Sequence, residues 1–373
     1  MNPNRVIMIL MAVFFVIGAA DRFLGNRLGM GERFERGFAL MGKVALSIMG
    51  LICLSPVVAD LLAPVVVPVF RTIGTDAGMF PSFFLSPDSG GWNIARELAS
   101  DTRIADFSGL VVCSVLGGVV SFSIPTAVGM ISKEDTRYLA VGVMASFIVG
   151  PVGCFFGGLV GGLSVGTVLH CLVPVTVVAA LLAMGLAIIP KAMIRGFQVV
   201  SKFLLLLLTV GLVLGAVEKM TGFTPVSGLR SIDEAFKTVG SVALMMAGTL
   251  PLVGLIERVA RRPLSAISRK TGINAPALSF GLAALASIVP GYTAYHEMNI
   301  RGKVFMAACT GSCANMLGAH LGFAANANSE WIVPMIVAKI IAGALALPLA
   351  MAFGNRLFRE EIRAEVQAAD ESL

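Results

Sequence analysis

The sequence predicts an all-α polytopic membrane protein with about nine to eleven membrane segments, built from inverted repeats that each contain a re-entrant helical hairpin. Three observations support this fold class. Hydrophobic residues make up 57% of the chain and charged residues only 13%, whereas about 25% of residues are charged in soluble domains. Apolar stretches long enough to cross a bilayer recur along the chain. Two further stretches are interrupted by proline, glycine and acidic residues.

A transmembrane helix needs about 17–25 mostly apolar residues. The stretches of this length lie near residues 5–21, 37–57, 106–131, 137–163, 166–189, 196–217, 236–257, 302–325 and 331–353. The segments near 78–104 and 275–300 contain proline and glycine breaks, so we expect re-entrant hairpins there. The stretch Glu257–Lys270 is too basic to cross, and we expect it and its counterpart Asp60–Thr75 to lie at the membrane interface.

Charge bias sets the expected orientation. The basic clusters are Arg22–Arg36, Lys191–Lys202, Arg258–Lys270 and Arg356–Arg363. With nine crossings and the N-terminus outside, all four clusters fall on the cytoplasmic side, as the positive-inside rule requires. The net charge of +6 does not indicate nucleic acid, because the basic residues lie in short loops between apolar spans. We therefore predict a multi-pass protein of the bacterial inner membrane with a cytoplasmic C-terminus.

The two halves of the chain resemble each other. Phe38, Gly42 and Gly50 match Phe236, Gly240 and Gly248 at one offset. Five crossings separate the repeat starts, and an odd number inverts the second half. The predicted organisation is a first helix with a basic loop (1–36), repeat 1 (37–163), connecting helices (164–235), repeat 2 (236–354) and a charged cytoplasmic tail (355–373).

Acidic residues in the two interrupted stretches are the first candidates for a site. A charge at membrane depth is costly and persists mainly where it lines a polar path or binds a ligand. Asp88 and Glu97 lie in the first stretch, and Glu297 in the second follows a glycine–aromatic pair at the same spacing as Glu97. Matching breaks in two halves are typical of transporters whose site lies between repeats.

Residues 88–99, Asp-Ser-Gly-Gly-Trp-Asn-Ile-Ala-Arg-Glu-Leu-Ala, resemble the Asp-x-Gly-Gly…Lys/Arg-Glu-Leu-Ala signature of the bacterial ethanolamine permease family. The resemblance runs nearly end to end. Further matching segments are Gly37–Gly42, Phe122–Pro125, Arg137–Ala140, Pro151–Cys154, Ile194–Phe197, Arg301–Val304, His320–Ala325 and Pro334–Val337. The sequence departs from the family at Ala319, where an acidic residue is common, and at Ala286–Pro290, where asparagine is frequent.

This resemblance implies a permease that imports ethanolamine, a small protonated amino alcohol, by alternating access or gated facilitated diffusion. Such a substrate needs a carboxylate for its ammonium group, an aromatic face for a cation–π contact and a polar partner for its hydroxyl group. The predicted substrate-binding residues are Asp88, Gly90, Gly91, Trp92, Asn93, Glu97, Tyr292, Tyr295, Glu297, Asn315 and His320. The predicted partners are this substrate and the lipid bilayer, and the oligomeric state is open.

Several of these assignments have alternative interpretations. Glu97 can pair with Arg96 or Arg103 at the interface, and Asp88 can cap a helix at the hairpin tip. The two departures from the family leave open a transporter of another small amine or cation. Lys339 lies within a predicted span, where lysine normally extends its ammonium group to the interface, although it is deep enough to form an ion pair.

The sequence gives little support to an enzyme. Residues 162–166 have the Gly-x-Ser-x-Gly pattern of a hydrolase, but they fall between two spans rather than at a strand-to-helix turn. An intramembrane hydrolase that uses Ser312 and His320 is the enzymatic alternative. The six cysteines lie in apolar stretches without metal-ligand spacing, so we expect neither a metal nor a cofactor.

Overall fold

The computed structural model describes residues 3–371, apart from the side chains of residues 261, 262, 265 and 369–371. Every regular element in this part of the chain is helical. The α-helices are α1 (Pro3–Phe23), α2 (Met30–Ala39), α3 (Met41–Thr72), α4 (Trp92–Leu98), α5 (Thr102–Asp106), α6 (Ile124–Val128), α7 (Thr136–Val160), α8 (Val165–Ile188), α9 (Pro190–Thr221), α10 (Ile232–Thr271), α11 (Ala275–Ala283), α12 (Val289–Thr293), α13 (Ile300–Ser312), α14 (Ala319–Ala327), α15 (Ile332–Leu357) and α16 (Arg359–Glu371).

Tighter or wider helical turns connect these helices. The 3₁₀-helical turns are Ala77–Phe83, Tyr295–Glu297 and Ser329–Trp331. The π-helical segments are Pro87–Gly91, Phe107–Gly117 and Val119–Ser123. Two parts of the sequence prediction lie outside the described residues, namely the side chains of Arg261 and Arg262 in the basic stretch and residues 372–373 of the tail.

Within the described residues, seven helical segments are long and apolar enough to cross a membrane, which confirms the all-α polytopic fold. They are Pro3–Phe23, Met30–Thr72, Thr136–Val160, Val165–Ile188, Pro190–Thr221, Ile232–Ala260 and Ser329–Leu357. Thr102–Gly117 and Val119–Val128 form an eighth span if this pair, bent by 42°, is counted as one. Most of Asp60–Thr75 belongs to α3, which ends at Thr72, and Glu257–Lys270 belongs to α10, so both stretches are continuous with a long helix.

The prediction of one continuous span over residues 302–325 is wrong, because the helix is interrupted between α13 and α14. In the interruption, the N–H groups of Asn315 and Leu317 donate to the carbonyl oxygens of Ala284 and Leu285 at 3.0 and 2.7 Å. A neighbouring segment therefore pairs with backbone groups that the helix does not use. Irregular backbone within a membrane protein requires such internal partners.

The long helix α10 defines two ends of the bundle. Lys219 near the end of α9 forms an ion pair with Asp233 in the first turn of α10, with Nζ and Oδ2 2.6 Å apart. We call this side the Arg230 end, after the residue in the loop between the two helices. The opposite side, where α10 stops, is the Gly272 end, and there the side-chain amide of Asn299 donates to the Gly272 carbonyl oxygen at 2.7 Å.

The basic stretches of the sequence meet at the Gly272 end. Arg33, from the first stretch, pairs with Glu257 in the second half of α10 at 2.6 Å. Arg301, which packs against Gly272, donates to Asn355 beside the C-terminal stretch at 3.0 Å. The basic start of α9 lies on the same side, because this helix of 32 residues reaches the Arg230 end only with its last turn.

Two helical hairpins lie between the long helices, hairpin 1 over residues 77–98 and hairpin 2 over residues 275–297. The Asp76 carboxylate accepts from the Ser100 N–H at 3.1 Å and so holds both ends of hairpin 1 together. The Asn274 side chain does the same for hairpin 2 by donating to the Glu297 carbonyl oxygen at 2.8 Å. Hairpin 1 starts and finishes at the Arg230 end, and hairpin 2 at the Gly272 end.

The two halves therefore present their elements in the same order. A long helix (α3 or α10) is followed by a hairpin, a broken helix and a continuous helix (α7 or α15). We call residues 102–128 broken helix 1 and residues 300–327 broken helix 2. The continuous helices α7 and α15 pack closely, and a Cβ atom on Gly153 would lie 2.4 Å from the Ala338 carbonyl oxygen. Glycine permits this approach of the two backbones.

Candidate functional site

The tip of hairpin 1 is a polar loop inside the bundle. Ser86 caps the turn, and its hydroxyl group donates to Asp88 Oδ1 at 2.6 Å. The Ser86 N–H donates to the Ser121 hydroxyl oxygen on broken helix 1 at 3.1 Å. Gly90 has a left-handed φ of +86°, and a Cβ atom there would lie 2.3 Å from the Leu51 side chain. Only glycine allows the chain to turn here without strain.

Broken helix 2 brings a histidine to this tip. Its interruption ends just before α14, and His320 is the second residue of that helix. His320 Nε2 lies 3.8 Å from Asp88 Oδ1, and the His320 side chain is only 6% exposed. His320 Nδ1 is buried and has no hydrogen-bond partner within the described part of the chain. The structure thus joins two predicted residues that are far apart in sequence, and one ring nitrogen of the histidine is left unpaired.

Asn93 is close to Asp88 in the sequence, and Asn315 is close to His320. Asn93 is 4% exposed, and its Oδ1 has no hydrogen-bond partner among the described residues. Asn315 lies in the interruption of broken helix 2 with a left-handed φ of 55°, and it is 7% exposed. Buried amide groups are normally hydrogen-bonded, so the unpaired oxygen of Asn93 is a second candidate contact for a polar ligand.

Trp92 is already committed to protein contacts. Its indole N–H donates to Asp106 Oδ1 at 2.7 Å, and the Arg96 guanidinium lies 5.4 Å from the ring centroid. The Phe323 ring meets it edge-on at 6.1 Å. The cation over the Trp92 ring, predicted from the sequence to be the substrate, is the guanidinium group of Arg96 on the same helix. Trp92 thus anchors α4 to broken helix 1.

The two glutamates of the sequence motif lie at opposite ends of the bundle. Glu97 forms a salt bridge with Arg230, rather than with Arg96 or Arg103 as the alternative prediction had it. Glu297 is at the Gly272 end, where its side chain is 53% exposed and has His296 as its nearest charged neighbour at 4.0 Å. The structure does not bring either glutamate to Asp88, because the hairpins enter from opposite sides.

The two tyrosines of hairpin 2 pack in the protein interior. Tyr292 is fully buried, and its hydroxyl group is hydrogen-bonded to the Thr310 hydroxyl group on α13. Tyr295 is 1% exposed and donates to the Lys303 carbonyl oxygen at 2.9 Å. Both phenol hydroxyl groups are therefore occupied by hydrogen bonds within the protein. Their role here is to attach hairpin 2 to broken helix 2.

Lys339 was not among the predicted site residues, yet it lies beside this cluster. Its side chain does not extend to the interface, because Lys339 is 1% exposed and its Nζ donates to two backbone carbonyl oxygens in the interior. One acceptor, Ala314, precedes Asn315, and the other, Ser114, follows Cys113, whose sulfur packs against Gly91 of hairpin 1. The sequence did contain a signal, namely a lysine in the middle of an apolar span. That signal was set aside because lysines in spanning helices generally extend to the interface.

Comparison with known proteins identifies the family of this chain. Residues 3–353 match the family described as "Ethanolamine utilisation protein, EutH". The chain belongs to this family. It is 39% identical to the "Probable ethanolamine permease EutH" of Listeria monocytogenes over 369 residues, which cover 99% of each chain. No solved structure gives a significant match.

Two enterobacterial relatives carry the same name. The identity is 35% over 406 residues with the Salmonella typhimurium protein, covering 99% of this chain and 100% of the relative. It is 36% over 389 residues with the Escherichia coli K12 protein, covering 94% and 95%. These relatives are named as permeases, which are transporters and not enzymes. In keeping with this, the Ser312 hydroxyl group donates to the Ala308 carbonyl oxygen at 2.6 Å and not to His320.

Proposed function

We propose that this protein imports ethanolamine across the bacterial inner membrane and that Asp88 and His320 bind the substrate. The observation that carries this proposal is a half-buried carboxylate 3.8 Å from a histidine with an unpaired ring nitrogen, at the tip of hairpin 1. Protonated ethanolamine offers an ammonium group and a hydroxyl group two carbons apart. The ammonium group pairs with the Asp88 carboxylate, and the hydroxyl group bonds to His320 or to the Asn93 amide oxygen.

A charged substrate and a charged carboxylate compensate each other in this environment. An isolated charge in the interior costs several kcal/mol, whereas a paired and hydrogen-bonded charge is tolerated. Ser86 already supplies one hydrogen bond to Asp88 Oδ1. The ammonium group of the substrate then supplies the opposite charge.

We further propose that residues 37–163 and 236–354 are inverted repeats and that the Gly272 end faces the cytoplasm. The matching order of elements and the opposite directions of the two hairpins support the first statement. The basic residues gathered at the Gly272 end support the second, because such residues are retained on the cytoplasmic side. The N-terminal helix, the connecting helices 164–235 and the tail 355–373 lie outside the repeats.

Uptake into proteoliposomes tests the function. Radiolabelled ethanolamine is supplied at several external pH values, with and without an imposed pH gradient, and empty liposomes report leakage of the neutral amine. Saturable uptake supports the proposal. Accumulation above equilibrium under the gradient identifies a coupled carrier, and simple equilibration identifies a gated facilitator.

Competition defines the substrate. Ethylamine lacks the hydroxyl group of ethanolamine, and ethylene glycol lacks its ammonium group. We expect ethylamine to compete weakly and ethylene glycol not at all, since the carboxylate requires a positive charge. Absence of saturable ethanolamine uptake in active liposomes contradicts the proposal, and uptake of another amine in its place points to the departures at Ala319 and 286–290.

A further inference from the structure

The buried Lys339 ammonium group occupies an unusual position in the middle of the bundle. Its Nζ donates to the Ser114 carbonyl oxygen at 2.7 Å and to the Ala314 carbonyl oxygen at 2.8 Å. The side chain is 1% exposed, and within the described residues no carboxylate lies within salt-bridge distance of it. A positive charge is therefore held mainly by backbone dipoles.

The two carbonyl groups come from the irregular parts of the two broken helices. Ser114 lies in the π-helical segment Phe107–Gly117 of broken helix 1, and Ala314 in the interruption of broken helix 2. The two residues are separated by the same number of positions as Glu97 and Glu297. Lys339 thus bridges corresponding points of the two halves, where the helical hydrogen-bonding pattern is disturbed.

Carbonyl oxygens freed at discontinuous helices form metal-cation sites in transporters, where they coordinate Na⁺ near the middle of the membrane. Here, a lysine on α15 already provides the positive charge. The ammonium group is a compact cation that donates in several directions, as a site lined by carbonyl oxygens requires. The acceptor Ala314 directly precedes Asn315 of the candidate site, so the ammonium group lies beside the proposed substrate site, as a coupling cation would.

We propose that the interrupted segments of the two broken helices form a cation site and that the Lys339 ammonium group fills it in place of a metal cation. The protein then carries its own tethered cation, and substrate uptake needs no Na⁺, K⁺ or Li⁺. This last consequence rests on the proposed transport function. The cation site itself does not, because it concerns the stability of the folded protein.

The test compares melting temperatures of the purified full-length protein and of Lys339→Met in choline, Na⁺, K⁺ and Li⁺ chlorides at equal ionic strength. We expect the wild type to melt at the same temperature in all four salts. Lys339→Met should melt lower in choline, and Na⁺ or Li⁺ should raise its melting temperature by about 2 °C or more as the ion enters the vacated site. Lys43→Met is the control, since Lys43 lies in a spanning helix but is exposed.

A Lys339→Met variant that melts like the wild type overturns the proposal, as does one that is destabilised equally in all four salts. If Lys339→Met does not fold, the proposal is tested instead by the melting temperatures of Lys339→Arg and by substrate uptake through the wild-type protein. The arginine variant retains a cation and should show no ion-specific stabilisation, and wild-type vesicles in choline medium should take up substrate at the full rate. Dependence of wild-type uptake on Na⁺ overturns the proposal. Absence of ethanolamine uptake in every salt contradicts the transport function only, and the melting comparison still decides the cation site.

Discussion

Replacement of Asp88 by asparagine is the sharpest test of the substrate site. The substitution removes the negative charge and keeps the shape of the side chain. The Ser86 hydroxyl group, which donates to Asp88 Oδ1 at 2.6 Å, can donate equally to an amide oxygen. The cap of hairpin 1 is therefore preserved, and the change isolates the charge.

The size of the effect follows from the burial of the proposed pair between the Asp88 carboxylate and the substrate ammonium group. The Asp88 side chain is 19% exposed, so most of it is shielded from water. Removing one partner of a buried charge pair costs about 3–5 kcal/mol, because the other charge is left uncompensated. Since each 1.36 kcal/mol corresponds to a factor of about ten, we expect the KM for ethanolamine to rise at least about a hundredfold. At ordinary substrate concentrations this amounts to loss of uptake.

The assay is initial uptake of radiolabelled ethanolamine over a range of concentrations, at matched amounts of reconstituted protein. Glu97→Gln and Glu297→Gln are the matched controls, because each removes one carboxylate charge at an end of the bundle. We expect both to change KM by less than about threefold, since exposed ion pairs contribute about 0–1 kcal/mol. An Asp88→Asn variant with the wild-type KM and melting temperature would refute the assignment of Asp88 to the substrate.

Three further predictions use the same assay. His320→Leu should raise the KM for ethanolamine about tenfold and leave that for ethylamine unchanged, because a hydrogen bond is worth about 1.4 kcal/mol; equal effects on both substrates would show a structural role. Gly90→Ala should abolish uptake, since the added Cβ would lie 2.3 Å from the Leu51 side chain and Gly90 has a left-handed φ. Gly42→Ala is the control and should retain uptake, because the space around Gly42 is open. Tyr292→Phe should lower stability by about 1 kcal/mol, through loss of the Thr310 contact, without changing KM; a raised KM would return this residue to the site.

The sequence pattern predicted most of the fold because membrane solvation leaves few choices. Backbone groups in hydrocarbon must pair within their own segment, so a long apolar stretch such as residues 136–160 forms a helix. The breaks near 78–104 and 275–300 were recognised because proline and glycine occur there together with acidic residues, which are costly in a spanning helix. The interruption in residues 302–325 was missed. Its sequence is mostly apolar, and the groups that stabilise the unwound form come from elsewhere in the chain: the hairpin backbone that pairs with Asn315 and Leu317 and the Lys339 ammonium group that donates to Ala314.

The candidate site was predicted only in part. Local sequence identified Asp88 because a carboxylate in an apolar segment is conspicuous, and the resemblance to a family identified His320. For Glu97 the local sequence offered Arg96 and Arg103 as partners, whereas the structure pairs it with Arg230. The partner lies 133 positions away, and long-range pairing of this kind is not encoded in periodicity or spacing.

The sequence by itself determined that this chain is a polytopic helical membrane protein with two polar breaks, because hydrophobic length and charge placement are properties of single segments. The tertiary structure decided which polar groups meet. It joins Asp88 to His320, separates Glu97 from Glu297 and holds the Lys339 ammonium group between Ser114 and Ala314. Each of these contacts depends on how helices from opposite halves pack together, and a carboxylate or ammonium group acquires its role only from the groups that surround it.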